Sequence, residues 1–140
     1  MRNLKRALSL ALAAIMLIGM MVVSASATGL DDFSDKDKVV NKDAVSMLVS
    51  LGIIEGKPDG SYAPTENVDR AQMAKMLSVI MNKGVDNSAL YQSVNSGLTD
   101  ITSNWAKGHI NYCYTTGIIA GRGNGKFDPD AGVTGSEAAK

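Results

Sequence analysis

Cysteine and histidine are almost missing from this sequence, and each shortage removes a class of protein. Cys113 is the one cysteine and His109 the one histidine among 140 residues. A single cysteine excludes a disulfide scaffold within the monomer, so stability has to come from packing or assembly. His109 and Cys113 lie four apart on one helix, but two potential ligands with no further His or Cys do not make a metal site. No nucleophile–base pair stands out either, and a lone histidine argues against a histidine-based hydrolase. The sequence therefore reads as neither an enzyme nor a cofactor carrier.

One long apolar run is present. Arg2, Lys5 and Arg6 precede an uncharged stretch from Ala7 to Val23, and the small residues after it end in Ala25-Ser26-Ala27. That A-x-A exit and the polar segment beginning at Thr28 identify residues 1–27 as a cleaved signal peptide. An uncleaved membrane helix is the alternative, which length alone disfavours only narrowly. Cleavage after Ala27 leaves 113 residues, enough for one small domain or two repeat units. It also removes three positive charges, so 11 basic residues face 14 acidic ones, a balance of −3. Nucleic acid normally demands a basic surface, so a nucleic-acid partner is not expected.

The rest of the chain is organised around a stretch written twice. Shifting Leu51–Gln72 by 65 residues places Gly52, Ile53, Ile54, Gly56, Gly60, Pro64 and Val68 on Gly117, Ile118, Ile119, Gly121, Gly125, Pro129 and Val133, without a gap. Lys57 falls on Arg122, Asp59 on Asn124, Tyr62 on Phe127 and Gln72 on Glu137. Such a register is the mark of an internal repeat.

Taken in order, Thr28 to Lys38 is an acidic loop anchored by Phe33, with Ser34-Asp35 leading into a helix. Val39, Val40, Ala44, Val45, Leu48 and Val49 recur at helical spacing and predict a helix from about Lys38 to Leu51, closed by a left-handed Gly52. Ile53-Ile54 is too short for a strand and reads as a tight loop pinned against the helices. Lys57-Pro58-Asp59-Gly60 is a turn. Asp69 and Gln72 then form a capping box, ahead of an apolar stripe at Met73, Met76, Leu77 and Ile80. Thr134 and Glu137 write the same box in the second copy. Between the copies, Ala89 to Val94 supports a short helix. The second copy's first helix is predicted from about Asn104 to Thr116, with Trp105, Ile110 and Cys113 on the face that Val40, Val45 and Leu48 occupy in the first. The fold class is mainly α: repeat 1 over 28–83, a linker at 84–97, and an incomplete repeat 2 over 98–140. Because Lys140 falls before the second stripe is complete, the sequence reads as a fragment of a longer protein.

Laid side by side, the copies resemble the S-layer homology domain of bacterial envelope proteins. The second supplies Thr99-Asp100, Trp105-Ala106, Gly117-Ile118-Ile119-Ala120-Gly121, Asn124-Gly125, Phe127-Asp128-Pro129 and Val133-Thr134. The first supplies Phe33-Ser34-Asp35, Gly52 to Gly56, Asp59-Gly60, Tyr62-Ala63-Pro64 and Val68-Asp69-Arg70-Ala71-Gln72. The resemblance implies tandem helical units around a pseudo-threefold axis, with a third repeat beyond Lys140 or from a second chain. It also implies secretion to the cell wall or S-layer. There the grooves between units would hold an anionic, peptidoglycan-linked secondary cell-wall polysaccharide, and the protein could also assemble with itself. The alternative is the targeting module of a secreted glycan-active enzyme, and a blander third reading is a helical oligomerisation unit.

The candidate ligand-binding residues follow from that resemblance, each beside an ordinary structural reading. Arg70 matches the arginine of the family's Thr-Arg-Ala-Glu helix start, where a guanidinium and free helix N–H groups suit a carboxylate-bearing sugar. Alternatively it makes local ion pairs, and its counterpart in copy two is Gly135. Asp35 and Asp100 either bond sugar hydroxyls or, as favoured here, cap the first helix and its loop. Trp105 either stacks on a sugar or joins the core beside Ile110. Lys57 and Arg122 either touch polymer or are solvated turn charges. The Gly121–Gly125 glycines follow no nucleotide-binding unit. Asp128-Pro129-Asp130 lacks a calcium loop's spacing, with Val133 where its glycine belongs.

Overall fold

The computed structural model describes residues 29–138. The signal peptide expected at 1–27 lies outside them, as do Thr28 and the last two residues, Ala139 and Lys140. Among the described residues four α-helices follow in chain order: α1 is Lys42–Ser50, α2 is Arg70–Met81, α3 is Lys107–Thr115, and the short α4 is Gly135–Ala138. Turns of 3-10 helix occupy Leu30–Asp32, Lys36–Lys38 and Ser88–Tyr91. Among the described residues there is no strand, only isolated bridges joining Asp69 to Gly132 and Gly123 to Lys126. The mainly α, helix–loop–helix reading is what the chain adopts.

The duplication extends to individual backbone hydrogen bonds. After α1, the Ile53 amide donates to the Leu48 carbonyl at 2.9 Å and Gly52 to Val49 at 2.9 Å, with Gly52 at φ +68°. After α3, Ile118 donates to Cys113 at 2.8 Å and Gly117 to Tyr114 at 3.2 Å, with Gly117 at φ +76°. Both pairs are the two-bond Schellman ending, which needs a left-handed residue just past the helix. The isoleucine pairs thus complete helix ends rather than strands. Further on, Ala63 and Asp128, also 65 apart, both take φ +58°. Side chains other than glycine rarely hold that conformation, so something must fix it.

Asp35 and Asp100 supply that constraint. The Asp35 carboxylate accepts from the Tyr62 and Ala63 amides at 2.8 and 2.9 Å. Asp100 accepts from Phe127 at 3.0 and 3.1 Å and from Asp128 at 2.9 Å. Each carboxylate reaches across its unit and clamps the left-handed residue. Asp35 stands before the Lys36–Lys38 turn but makes no side-chain cap there, so its role is to hold the loop, not to start a helix.

Both first helices begin later than their apolar spacing predicts, at Lys42 and Lys107. Val40 and Trp105 therefore lie in the irregular lead-in and turn away from the buried face. Val40 is 93% exposed and Trp105 58%, whereas Val45, Ile110 and Cys113 are buried. The core reading of Trp105 is corrected accordingly.

The stripe on α2 is a second departure. Its buried residues are Ala71, Ala74, Ser78 and Val79, while Met73, Met76 and Leu77 are half-buried and Ile80 is exposed. Small side chains let α3 approach closely, and that contact decides which face is covered. Ala71 and Ala74 pack with Leu98, Ile101, Ala106, Ile110 and Phe127, all from the second repeat. A separate core of Phe33, Val39, Val45 and Val49 serves the first. Thus α2, encoded by the first repeat, completes the second repeat's interior.

Polar bonds fix that docking. Ser78 Oγ lies 2.6 Å from His109 Nδ1, and Cys113 Sγ donates to the Ala74 carbonyl at 3.4 Å. Burial pushes the Cys113 thiol up to about 12, which makes it an inert filler rather than a nucleophile. The residues between the copies are also held against α3. Fully buried Asn111 donates to the Tyr91 and Val94 carbonyls at 2.9 and 3.0 Å and accepts from Ser96 Oγ at 2.7 Å.

Burial, aided by Lys75 and opposed by Asp86 and Glu55, holds the His109 imidazole below its usual range. The unfolded chain therefore takes up the proton first. This contribution to stability is intact above the ordinary histidine value of 6.5 and is lost as pH falls below it. The expected outcome is a melting temperature that drops for the wild type between about pH 7.5 and 5.5, above the range where carboxylates titrate. The drop should be markedly smaller in His109→Gln; equal slopes in circular-dichroism melts would rule the mechanism out.

Candidate functional site

The repeats meet where α2 begins. Asp69 caps this helix: its Oδ1 accepts from the Gln72 amide at 2.7 Å, and Gln72 Oε1 accepts from the Asp69 amide at 3.1 Å. The next two amides find partners in the other repeat. Arg70 N donates to Ala131 O at 3.0 Å and Ala71 N to Pro129 O at 2.9 Å, while Val133 N returns a bond to Val68 O at 2.9 Å. Met73 N is bonded to Asp69 O. The idea that free N–H groups at this helix start draw in an anion is thereby corrected, because they are already used.

The Arg70 side chain follows its backbone into the second repeat. Nε donates to Phe127 O at 2.8 Å, Nη2 donates to Ala120 O at 2.7 Å, and the guanidinium carbon sits 4.4 Å from the Phe127 ring centre. Its side chain keeps 11% of its exposure. Nη1 points to Glu137 Oε1 at 3.5 Å, and Arg122 Nη1 approaches the same oxygen at 2.7 Å. Arg70 from one repeat and Arg122 from the other therefore converge on a single carboxylate. Burial and the neighbouring Arg122 charge lower the Arg70 pKa from its usual value, against the pull of Glu137, Asp128 and Asp100. The Glu137 carboxyl lies below its usual range, held there first by the Thr134 amide and hydroxyl and then by the two arginines.

The remaining candidate residues are distributed around the molecule. Asp100 contributes to the seam's field while its oxygens hold Phe127 and Asp128. Burial raises its pKa, but the Asp128 and Phe127 amides outweigh that and keep it low. Asp35, lowered chiefly by the Tyr62 amide, does the same work in the first unit. Lys57, the counterpart of Arg122, pairs with Glu66 within its own repeat. Trp105 lies at the entry to α3, edge-on to His109 with ring centres 6.5 Å apart. Gly135 opens α4 with no side chain to offer. Glu137 and Ser78 are the participants that sequence reasoning passed over. The sequence marks the former only as a cap, and the latter is hidden in the small-residue line Ala71-Ala74-Ser78.

A family comparison matches both copies. The S-layer homology domain covers residues 32–74 and 97–139. The chain belongs to this family. S-layer homology domains are binding modules rather than catalytic ones, and membership places the chain at the cell surface, in the wall or S-layer. A "Cell surface protein" of Thermoanaerobacter kivui is 32% identical over 140 residues, 99% of this chain and 18% of that protein. An "S-layer protein" of Bacillus licheniformis is 34% identical over 92 residues, 66% of this chain and 10% of its own length. An "Endo-1,4-beta-xylanase A" of Thermoanaerobacterium saccharolyticum is 33% identical over 106 residues, 75% of this chain and 9% of the enzyme. The chain thus spans less than a fifth of each of these relatives. No solved structure matches it.

Arg70 is the side chain most committed to joining these S-layer homology repeats. Arg70→Ala is expected to destabilise the fold by about 2–3 kcal/mol, the scale of losing two charge-assisted bonds to backbone carbonyls of the other repeat. Arg70→Lys should recover little, because an ammonium cannot span both carbonyls. Urea unfolding measures both; a change within 0.5 kcal/mol, about the size of a typical surface substitution, would contradict this role.

Proposed function

We propose that this chain is the wall-anchoring module of an exported S-layer or S-layer-associated protein. It binds non-covalently to an anionic, peptidoglycan-linked secondary cell-wall polysaccharide. The observation that supports this most is the convergence of Arg70 and Arg122 on one carboxylate at the seam between repeats. Guanidinium groups offer planar paired donors matched to carboxylate oxygens, so the same pair suits an acidic sugar substituent. Arg122 is the freer of the two, with 40% of its side chain exposed. Trp105 presents an exposed ring of the kind that stacks on a sugar face. Lys57 lies at the equivalent turn of the first repeat and adds positive charge there. Asp35 and Asp100 serve the site by shaping the loops that carry these groups.

A second reading differs in cargo, not in chemistry. The match to the Thermoanaerobacterium saccharolyticum xylanase supports a module that holds a glycan-active enzyme at the wall. Under either reading this region binds and does not catalyse.

Arg122→Ala is the suitable probe, since the Arg122 side chain pairs with Glu137 and not with the backbone carbonyls that make Arg70 structural. The full chain should sediment with purified cell walls and stay in solution when secondary polymers have been extracted. Arg122→Ala should bind roughly tenfold or more weakly, the scale of one charge-assisted contact. Equal sedimentation with stripped walls would remove polymer recognition from the account.

A further inference from the structure

Glu137 divides its two oxygens between different tasks. Oε2 accepts from the Thr134 amide at 3.0 Å and the Thr134 hydroxyl at 2.8 Å, which completes the capping box of α4. Oε1 turns the other way, to Arg122 at 2.7 Å and Arg70 at 3.5 Å. Only the first task is local. The first repeat shows what the box itself requires, because Gln72 fills the matching position and closes it with a neutral amide. A negative charge is thus surplus to capping in this fold.

The charge instead answers an arrangement that, among the described residues, occurs at the seam alone. Lys57, the first repeat's counterpart of Arg122, turns to Glu66, and among the described residues no arginine pairs with that same carboxylate. At the seam, two guanidinium groups from different repeats face one carboxylate oxygen, and the Arg122 charge disfavours the protonated form of Arg70. Arg70 Nε and Nη2 are spent on the Phe127 and Ala120 carbonyls, which leaves Nη1 and the Arg122 fork as the donors open to an anion. Glu137 Oε1 stands on those donors. It is only partly covered, at 24% side-chain exposure, and it hangs from a single short helix.

We infer that Glu137 is a built-in competitor at the Arg70–Arg122 site, occupying the place of a ligand carboxylate until one displaces it. This rests on the proposed anchoring role and specifies how that site discriminates. Binding exchanges one carboxylate for another, so a weakly charged or neutral sugar gains nothing by entering. A carboxylate able to reach both arginines replaces a contact that Glu137 makes well with only one of them. Discrimination against neutral glycans therefore comes from a group the protein supplies itself.

The test uses the folded full chain and glucuronate as a simple acidic sugar, titrated at low salt by NMR. Glu137→Gln keeps the box that Gln72 already demonstrates and removes the charge. It is expected to bind glucuronate about five- to tenfold more tightly than the wild type, the scale of one nearby charge in a partly screened site. Adding Arg122→Ala to Glu137→Gln should abolish that gain. Glu137→Asp, which keeps the charge but shortens its reach, should fall between the wild type and Glu137→Gln. It also supplies the comparison if Glu137→Gln melts early. Unchanged or weaker glucuronate binding in both single variants would overturn the inference and leave Glu137 a cap. The wall-sedimentation result is independent: losing polymer recognition would not alter the glucuronate comparison, and an inert Glu137 would not remove anchoring.

Discussion

A helix start normally leaves its first N–H groups without partners, and the way α2 resolves this governs the molecule. Asp69 satisfies one amide through its side chain and another through its carbonyl. Arg70 and Ala71 instead donate to carbonyls of the opposite repeat, at Ala131 and Pro129. The Arg70 side chain extends the same connection to Ala120 and Phe127. A helix encoded by one unit is thereby completed by the next. Either repeat alone would expose Ala71, Ala74 and Phe127 to water and leave those amides open. The coupling between units is local chemistry that neither unit can supply for itself, as expected of repeat architectures.

The same constraint explains how charge is arranged. Each unit contains an aspartate whose oxygens are used by two backbone amides of its own loop, and this keeps Ala63 and Asp128 left-handed. With the loops fixed, the turn before each one presents a basic residue at a fixed register, Lys57 in one copy and Arg122 in the other. Among the described residues, only the second shares its carboxylate partner with an arginine from the other repeat. The asymmetry of charge between the two copies thus arises from their position in the array. Gly135 fits this pattern, since the second copy's own helix start carries no arginine to pass onward within the described residues.

Much of this was legible in sequence because it is local. The Asp69–Gln72 and Thr134–Glu137 boxes, the glycines after α1 and α3, and the paired loops depend on residues a few positions apart. Each formed as its spacing implied. What escaped depends on which helix lies against which. The stripe at Met73, Met76, Leu77 and Ile80 is a genuine amphipathic pattern, yet the close approach of α3 selects the smaller face at Ala71, Ala74 and Ser78. Val40 and Trp105 share the apolar spacing but stand ahead of the first helical turn, where periodicity no longer sets direction. Arg70 was legible as a charged residue at a helix start. That its donors cross to Phe127 and Ala120 could come only from the packing of the two copies.

Amide hydrogen exchange across the seam tests this coupling most directly. If α2 is completed by the second repeat, the Arg70 and Ala71 amides should be protected to the same degree as the buried centre of α2 around Ala74 and Ser78. Exchange at Arg70 and Ala71 as fast as in the exposed turn at 57–60, with the centre of α2 still protected, would contradict it.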